Sequence, residues 1–168
     1  SMALSIWARK SGSHTGGGSR SVIVGTNQNT GFLQIRGNMI ETFIQYNGGS
    51  HTRAFTTNNP GYIADDGKWH HYVLAYDMSP AHDLANPASG SVSLYIDGKK
   101  QPQTFNVHKE GNSHGNGFIQ SIGRDYASNG HGHWPGDIAD VRLYAYESGS
   151  AGLTSEEVKW LYLHPGEG

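Results

Sequence analysis

A chain of 168 residues has room for one full hydrophobic core, and residues 1–168 are expected to form a single domain. Its 24 glycines, 15% charged and 11% aromatic side chains describe a turn-rich chain poor in strong helix formers, which excludes a helical bundle, and 35% apolar content excludes a disordered chain. A formal net charge of -2 without a basic stripe argues against a nucleic-acid partner, and the lack of an apolar run of about 18 residues argues against membrane insertion.

In chain order, short segments with period-two alternation recur between glycine, asparagine and proline clusters, the pattern of an antiparallel all-β sandwich. The expected strands are Ala3–Arg9, Ser21–Thr26, Gly31–Arg36, Met39–Tyr46, His51–Thr57, Trp69–Asp77, Ser91–Ile96, Gln103–Val107, Gly117–Gly123 and Asp137–Tyr146. The Trp69–Tyr76 stretch is apolar or aromatic on both faces, so it belongs in the middle of a sheet covered on both sides. Val92, Leu94 and Ile96 alternate with Ser91, Ser93 and Tyr95, and the following Asp97-Gly98 tolerates the positive φ angles of a tight hairpin. One short C-terminal helix is expected where Thr154 and Glu157 have capping-box spacing, ending before Pro165-Gly166. Ser1-Met2 reads as a cloning remnant ahead of a domain cut from a larger protein.

The absence of cysteine removes disulfides, thiolate zinc sites and cysteine nucleophiles together. Several of the ten histidines (His14, His51, His82, His108, His114, His131 and His133) sit among glycines and asparagines. Their spacing follows no metal-ligand pattern, so they read as loop polarity supplied by imidazole instead of charge.

Five ordered stretches carry a resemblance: Ser5-Ile6-Trp7-Ala8, Asp66-Gly67-Lys68-Trp69-His70-His71-Tyr72-Val73, Val92-Ser93-Leu94-Tyr95-Ile96-Asp97-Gly98, Ile122-Gly123-Arg124, and Gly136-Asp137-Ile138-Ala139-Asp140-Val141-Arg142-Leu143-Tyr144. With the capped segment Leu153 to Val158, the chain resembles the laminin G-like jelly rolls of the concanavalin A-like lectin and glucanase superfamily. The resemblance implies a two-sheet jelly roll, and it implies that such domains begin with an earlier strand pairing near the last one. An edge near Asp137 to Tyr144 is then expected to be open for pairing. It also assigns Trp7, Trp69 and Trp134 to packing, and it implies a structural calcium at Asp140, although no cofactor is required.

Hydrolases occur in the superfamily, but the paired carboxylates of glycoside hydrolysis, Glu-x-Asp-x-Glu on one strand, are absent here. Asp65-Asp66 and Glu156-Glu157 fall in a turn and a first helical turn, and no other catalytic motif is present. Two groups instead suit a glycan. The loop carrying Tyr126, Asn129, His131, His133 and Trp134 combines an aromatic face for the C–H side of a pyranose with donors and acceptors for its hydroxyls. On the strands, Arg36, Gln45, His51 and Arg53 offer guanidinium, amide and imidazole groups suited to an acidic or sulfated glycan. The expected function is a non-catalytic, lectin-like carbohydrate-binding module of a secreted or cell-surface protein. The alternatives are a protein-binding adhesion or assembly domain using a strand edge, then a polysaccharide-degrading enzyme.

Overall fold

The computed structural model describes residues 2–12, 20–25, 31–36, 39–45, 51–56, 66–76, 92–102, 104–108, 119, 121–124, 132–146 and 152–167. Its strands are β1 (Met2–Lys10), β2 (Arg20–Gly25), β3 (Gly31–Arg36), β4 (Met39–Gln45), β5 (His51–Thr56), β6 (Trp69–Tyr76), β7 (Val92–Ile96), β8 (Lys99–Lys100), β9 (Thr104–His108), β10 (Ser121–Ile122) and β11 (Gly136–Ala145). The helix α1 spans Ser155–Leu163. All ten expected strands are represented. Among the described residues of the stretch expected over Gly117–Gly123, Ser121–Ile122 is strand and Ile119 and Gly123 are not.

The strands form two antiparallel sheets. Sheet A has five strands in the order β11-β1-β6-β7-β8, and sheet B has six in the order β10-β2-β3-β4-β5-β9. The core lies between them. Leu4, Ile6 and Ala8 of β1, Tyr72 and Leu74 of β6, and Leu94 and Ile96 of β7 meet Ile23, Val24, Leu33, Ile35 and Ile40 from sheet B. Each buried Leu or Ile contributes roughly 1.5–3 kcal/mol of transfer free energy, so this cluster is the main force joining the layers.

Sheet A is also covered on its other face, as the two-sided apolarity of β6 predicts. Val73 and Tyr95 pack against Val158 and Leu153, and the Trp7 ring stacks on His71 at 5.1 Å and on Tyr162 at 5.7 Å. The helix is held there by a complete capping box: the Glu157 N–H donates to Thr154 Oγ1, and the Thr154 N–H donates to Glu157 Oε2 at 2.8 Å. The Asp97-Gly98 hairpin forms as expected, with φ of 50° and 74° at its two turn residues.

Asp97 also ties this hairpin to the start of β6. His70 Nδ1 donates to Asp97 Oδ2 at 2.8 Å, His70 Nε2 donates to Asp66 Oδ1 at 3.1 Å, and the His71 N–H donates to Asp97 Oδ1 at 2.9 Å. The two adjacent imidazoles therefore have opposite electrostatics. The Asp97 and Asp66 carboxylates hold the pKa of His70 above its ordinary value, whereas burial beneath α1 pushes His71 down to about 4. Neutral His71 shares a hydrogen bond with Ser5 Oγ at 2.8 Å.

One end of the sandwich is closed by the segment before β11. Trp134 is 6% exposed and belongs to the core, and its indole N–H lies 3.2 Å from the carbonyls of both Arg9 and Asp137. Gly136 follows, in register with Lys10, where an added Cβ would overlap the Arg9 carbonyl. Trp69, expected to pack in the core, is instead 38% exposed at the start of β6, with the Arg9 guanidinium 5.3 Å from its ring.

Two predictions follow from this packing. Gly136→Ala forces β11 away from Arg9 and is expected to cost about 1–3 kcal/mol or more in a urea melt, with loss of Trp134 near-UV ellipticity. The histidine pair predicts a stability maximum near pH 6.5, the ordinary value for both groups. His71 favours the folded state fully above that pH, and on the order of 3 kcal/mol is lost as pH falls toward 4. His70 favours it fully below that pH, and its contribution is lost as pH rises through the raised folded value. Urea melts from about pH 4 to 9 are expected to lose the alkaline limb in His70→Gln and the histidine-dependent acid limb in His71→Gln.

Candidate functional site

The ladder of sheet B decides which of the sequence-predicted polar residues are neighbours. Gln45 of β4 stands opposite His51 of β5, which stands opposite His108 of β9. The row two residues along the ladder runs Phe43, Arg53, Asn106. On β4 both rows take the register positions that alternate with Ile40 and Thr42, which are buried at 0% and 1% exposure. Amide, two imidazoles, guanidinium and a second amide thus occupy adjacent positions on three paired strands.

Arg36 does not join them. It ends β3 in register with Met39, at the opposite end of β4 from Gln45 and roughly 20 Å away at the rise of a strand. Its ladder neighbour on the other side is Arg20 of β2. Sequence alternation identified a common face but could not tell which end of a strand each residue occupied. Sequence alternation does not bring out Asn106 or His108, which pair with Arg53 and His51. His108 is the last residue of β9, because pairing with β5 carries that strand one residue beyond the expected Val107.

The second expected group divides differently. Tyr126, Asn129 and His131 lie outside the described residues. His133 is exposed, next to Trp134, whose burial is a correction to the sugar-platform reading: its ring is used in packing and its N–H is taken by backbone carbonyls. This segment hydrogen-bonds beside β10, from the Trp134 N–H to the Gly123 carbonyl at 2.7 Å. β10 is separated from β5 by three intervening strands.

Asp140 sits at an irregularity in β11. The β1–β11 register shifts between Ser5 and Trp7, with one extra residue on β11, and Asp140 takes φ of 48° there. Its carboxylate is already engaged: Arg142 Nε donates to Oδ1 at 2.7 Å, Arg142 Nη2 donates to Oδ2 at 2.9 Å, and the Gly166 N–H donates to Oδ2 at 3.0 Å. The Arg142 guanidinium holds the pKa of Asp140 below its ordinary value and also grips the Glu167 carbonyl. Calcium needs six to eight oxygen ligands, and a carboxylate already neutralised bidentately by arginine does not suit it. Among the described residues no group of three or more His, Cys, Asp or Glu could hold a metal ion. Beside this pair, Arg142, Tyr144, Leu153, Glu157, Trp160 and Leu161 line a groove of about 290 Å³ between β11 and α1.

Two antiparallel sheets packed face to face, with one helix against the outer face of sheet A, define a jelly-roll-like β-sandwich. The chain belongs to the Concanavalin A-like lectin/glucanases superfamily, since a laminin G-type family model matches residues 1–158. It is similar in structure to the botulinum neurotoxin type G receptor binding domain (TM-score 0.53, 16% identity, 96% of this chain and 37% of that one). Two further similar structures are the botulinum neurotoxin serotype D binding domain (0.53, 17%, 96% and 36%) and the binding domain of Paraclostridial Mosquitocidal Protein 1 (0.50, 15%, 96% and 36%). The chain spans little more than a third of each, and what is shared at these identities is the fold. No curated protein matches the sequence.

The arginine clamp on Asp140 gives a direct test. Arg142→Ala leaves the carboxylate at the positive-φ position without its countercharge and releases the Glu167 carbonyl. The expected result is a loss of about 1–3 kcal/mol in thermal or urea unfolding, partly restored by Asp140→Gly in the same chain.

Proposed function

We propose that the chain is a non-catalytic carbohydrate-binding module of a secreted or cell-surface protein, with its ligand held on β4, β5 and β9 of sheet B. The observation that carries this reading is the ladder itself, which sets Gln45 beside His51 and His108, and Arg53 beside Asn106. Amides and imidazoles donate to and accept from sugar hydroxyls, and a guanidinium grips carboxylate or sulfate through paired N–H groups. The favoured ligand is therefore a glycan bearing acidic or sulfate groups. The lack of a strand carrying two carboxylates at glycosidase spacing supports binding without hydrolysis. Membership of a lectin and glucanase superfamily, and similarity in fold to domains named for receptor binding, support a binding role outside the cell. Among the described residues no helix is long and apolar enough to cross a membrane.

Affinity electrophoresis against a panel of neutral, uronic-acid and sulfated polysaccharides tests the proposal. Retardation by an acidic member is expected, and His51→Ala and Arg53→Ala are each expected to weaken binding about tenfold, about 1.4 kcal/mol, with the fold intact by circular dichroism. Arg36→Ala is expected to have little effect. Absence of retardation by every polysaccharide, or release of reducing sugar from one of them, would overturn the reading.

A further inference from the structure

The helix α1 is attached to the sandwich as a separate layer. The cluster beneath it, Val73, Tyr95 and Val158 with Leu153, shares no residue with the core between the two sheets. Beside that cluster three rings are stacked: Trp7 of β1 lies 5.1 Å from His71 and 5.7 Å from Tyr162 of α1, and His71 lies 6.2 Å from Tyr162. His71 is 1% exposed. Its Nε2 shares a hydrogen bond with Ser5 Oγ, and its Nδ1 has no partner among the described residues. Whichever nitrogen carries the proton of the neutral ring, the charged ring has two N–H groups, and the one at Nδ1 finds no acceptor under the helix.

We propose that α1 is an acid-released cover: protonation of His71 lifts the helix from sheet A and lets water reach the ring, while the two sheets stay folded on each other. The charged and titratable groups around the ring are committed elsewhere. Asp97, at the turn after β7, accepts from the His71 backbone N–H and from His70 of β6. Asp140 of β11 is clamped by Arg142, whose charge opposes a second cation, and Arg9 of β1 is paired with Asp137. The helix brings Tyr162, with Lys159 beside it at Gly98. Burial holds the pKa of His71 at about 4 under the helix, against an ordinary 6.5. The closed state is therefore fully favoured above about pH 6.5 and is weakened as pH falls toward 4, with an opening equilibrium about twentyfold larger at pH 5 than at pH 7. Lifting a nine-residue helix from one small cluster costs less than unfolding both sheets, so the helix opens first. This device is independent of the glycan reading, since sheet B takes no part in it.

Hydrogen exchange on the unmodified chain at pH 7 and pH 5, corrected for the chemical rate at each pH, tests the proposal. The amides of residues 159–163 are expected to be less protected than those of β1 and β6, to exchange with little urea dependence, and to lose about twentyfold in protection between the two conditions. The helix cap stays charged across this range, because hydrogen bonds from Thr154 hold the Glu157 carboxyl below its ordinary value. His71→Gln, which cannot gain the charge, is expected to remove the pH dependence. Thr154→Ala keeps the proposal falsifiable if that variant does not fold: loosening the helix at its cap must, by reciprocity, raise the His71 pKa followed by NMR. Equal protection of helix and strands, helix protection that is the same at both pH values, pH dependence that survives His71→Gln, or an unmoved His71 pKa in Thr154→Ala would each overturn it.

Discussion

Sheet A must be buried on both faces, and most of the architecture follows from that requirement. Its inner face meets sheet B through Leu4, Ile6, Tyr72, Leu74 and Leu94, and its outer face lies beneath α1. A strand covered on both sides has no solvent to accept its polar groups, so an internal partner is favoured there. Ser5 Oγ and His71 Nε2 answer each other, whereas His71 Nδ1 and Trp7 Nε1 have no hydrogen-bond partner among the described residues, and the same burial keeps His71 neutral. At the end of the same strand His70 lies between two carboxylates and is favoured in its charged form. One residue of displacement along β6 thus reverses the electrostatics of the same side chain.

The ends and edges of the sandwich are solved by separate local devices. Trp134 plugs one end, and Gly136 lets β11 approach Arg9 closely enough for the Arg9–Asp137 ion pair at 2.6 Å to form. The Asp97-Gly98 turn reverses β7 into a two-residue lysine strand, which leaves little edge to pair. At Asp140 an aspartate adopts a left-handed conformation that most side chains avoid, and Arg142 holds it there. The lysine edge of sheet A is therefore guarded, while Val141 and Leu143 of β11 are exposed.

This division of labour separates stability from the proposed binding role. Sheet A, with its helix, contains the doubly buried strands and the clamps between them. Sheet B buries Ile40 and Thr42 of β4, and its ladder puts amide, imidazole and guanidinium residues of three strands at neighbouring register positions. A polar row on a paired-strand scaffold is positioned by backbone hydrogen bonds that do not depend on the row's own side chains. Residues there can change without unfolding the domain, which suits a superfamily in which the same sandwich carries different activities.

Local chemistry was legible in the sequence. Period-two alternation located the strands to within a residue or two in most cases, the Asp-Gly turn and Thr154–Glu157 cap were recognisable from residue type, and the ordered motifs indicated the family. These features depend on neighbours a few residues away. What only the tertiary structure decided was which residues meet across long sequence separations. Alternation could not tell that Arg36 and Gln45 fall at opposite ends of β4, that His108 lines up with His51, or that Arg142 occupies the Asp140 carboxylate. Nor could residue type alone show that Trp134 is buried while Trp69 is exposed, because two tryptophans differ only in where the two sheets close around them. Strand periodicity is a property of the backbone, whereas register and burial are set by the whole assembly of sheets.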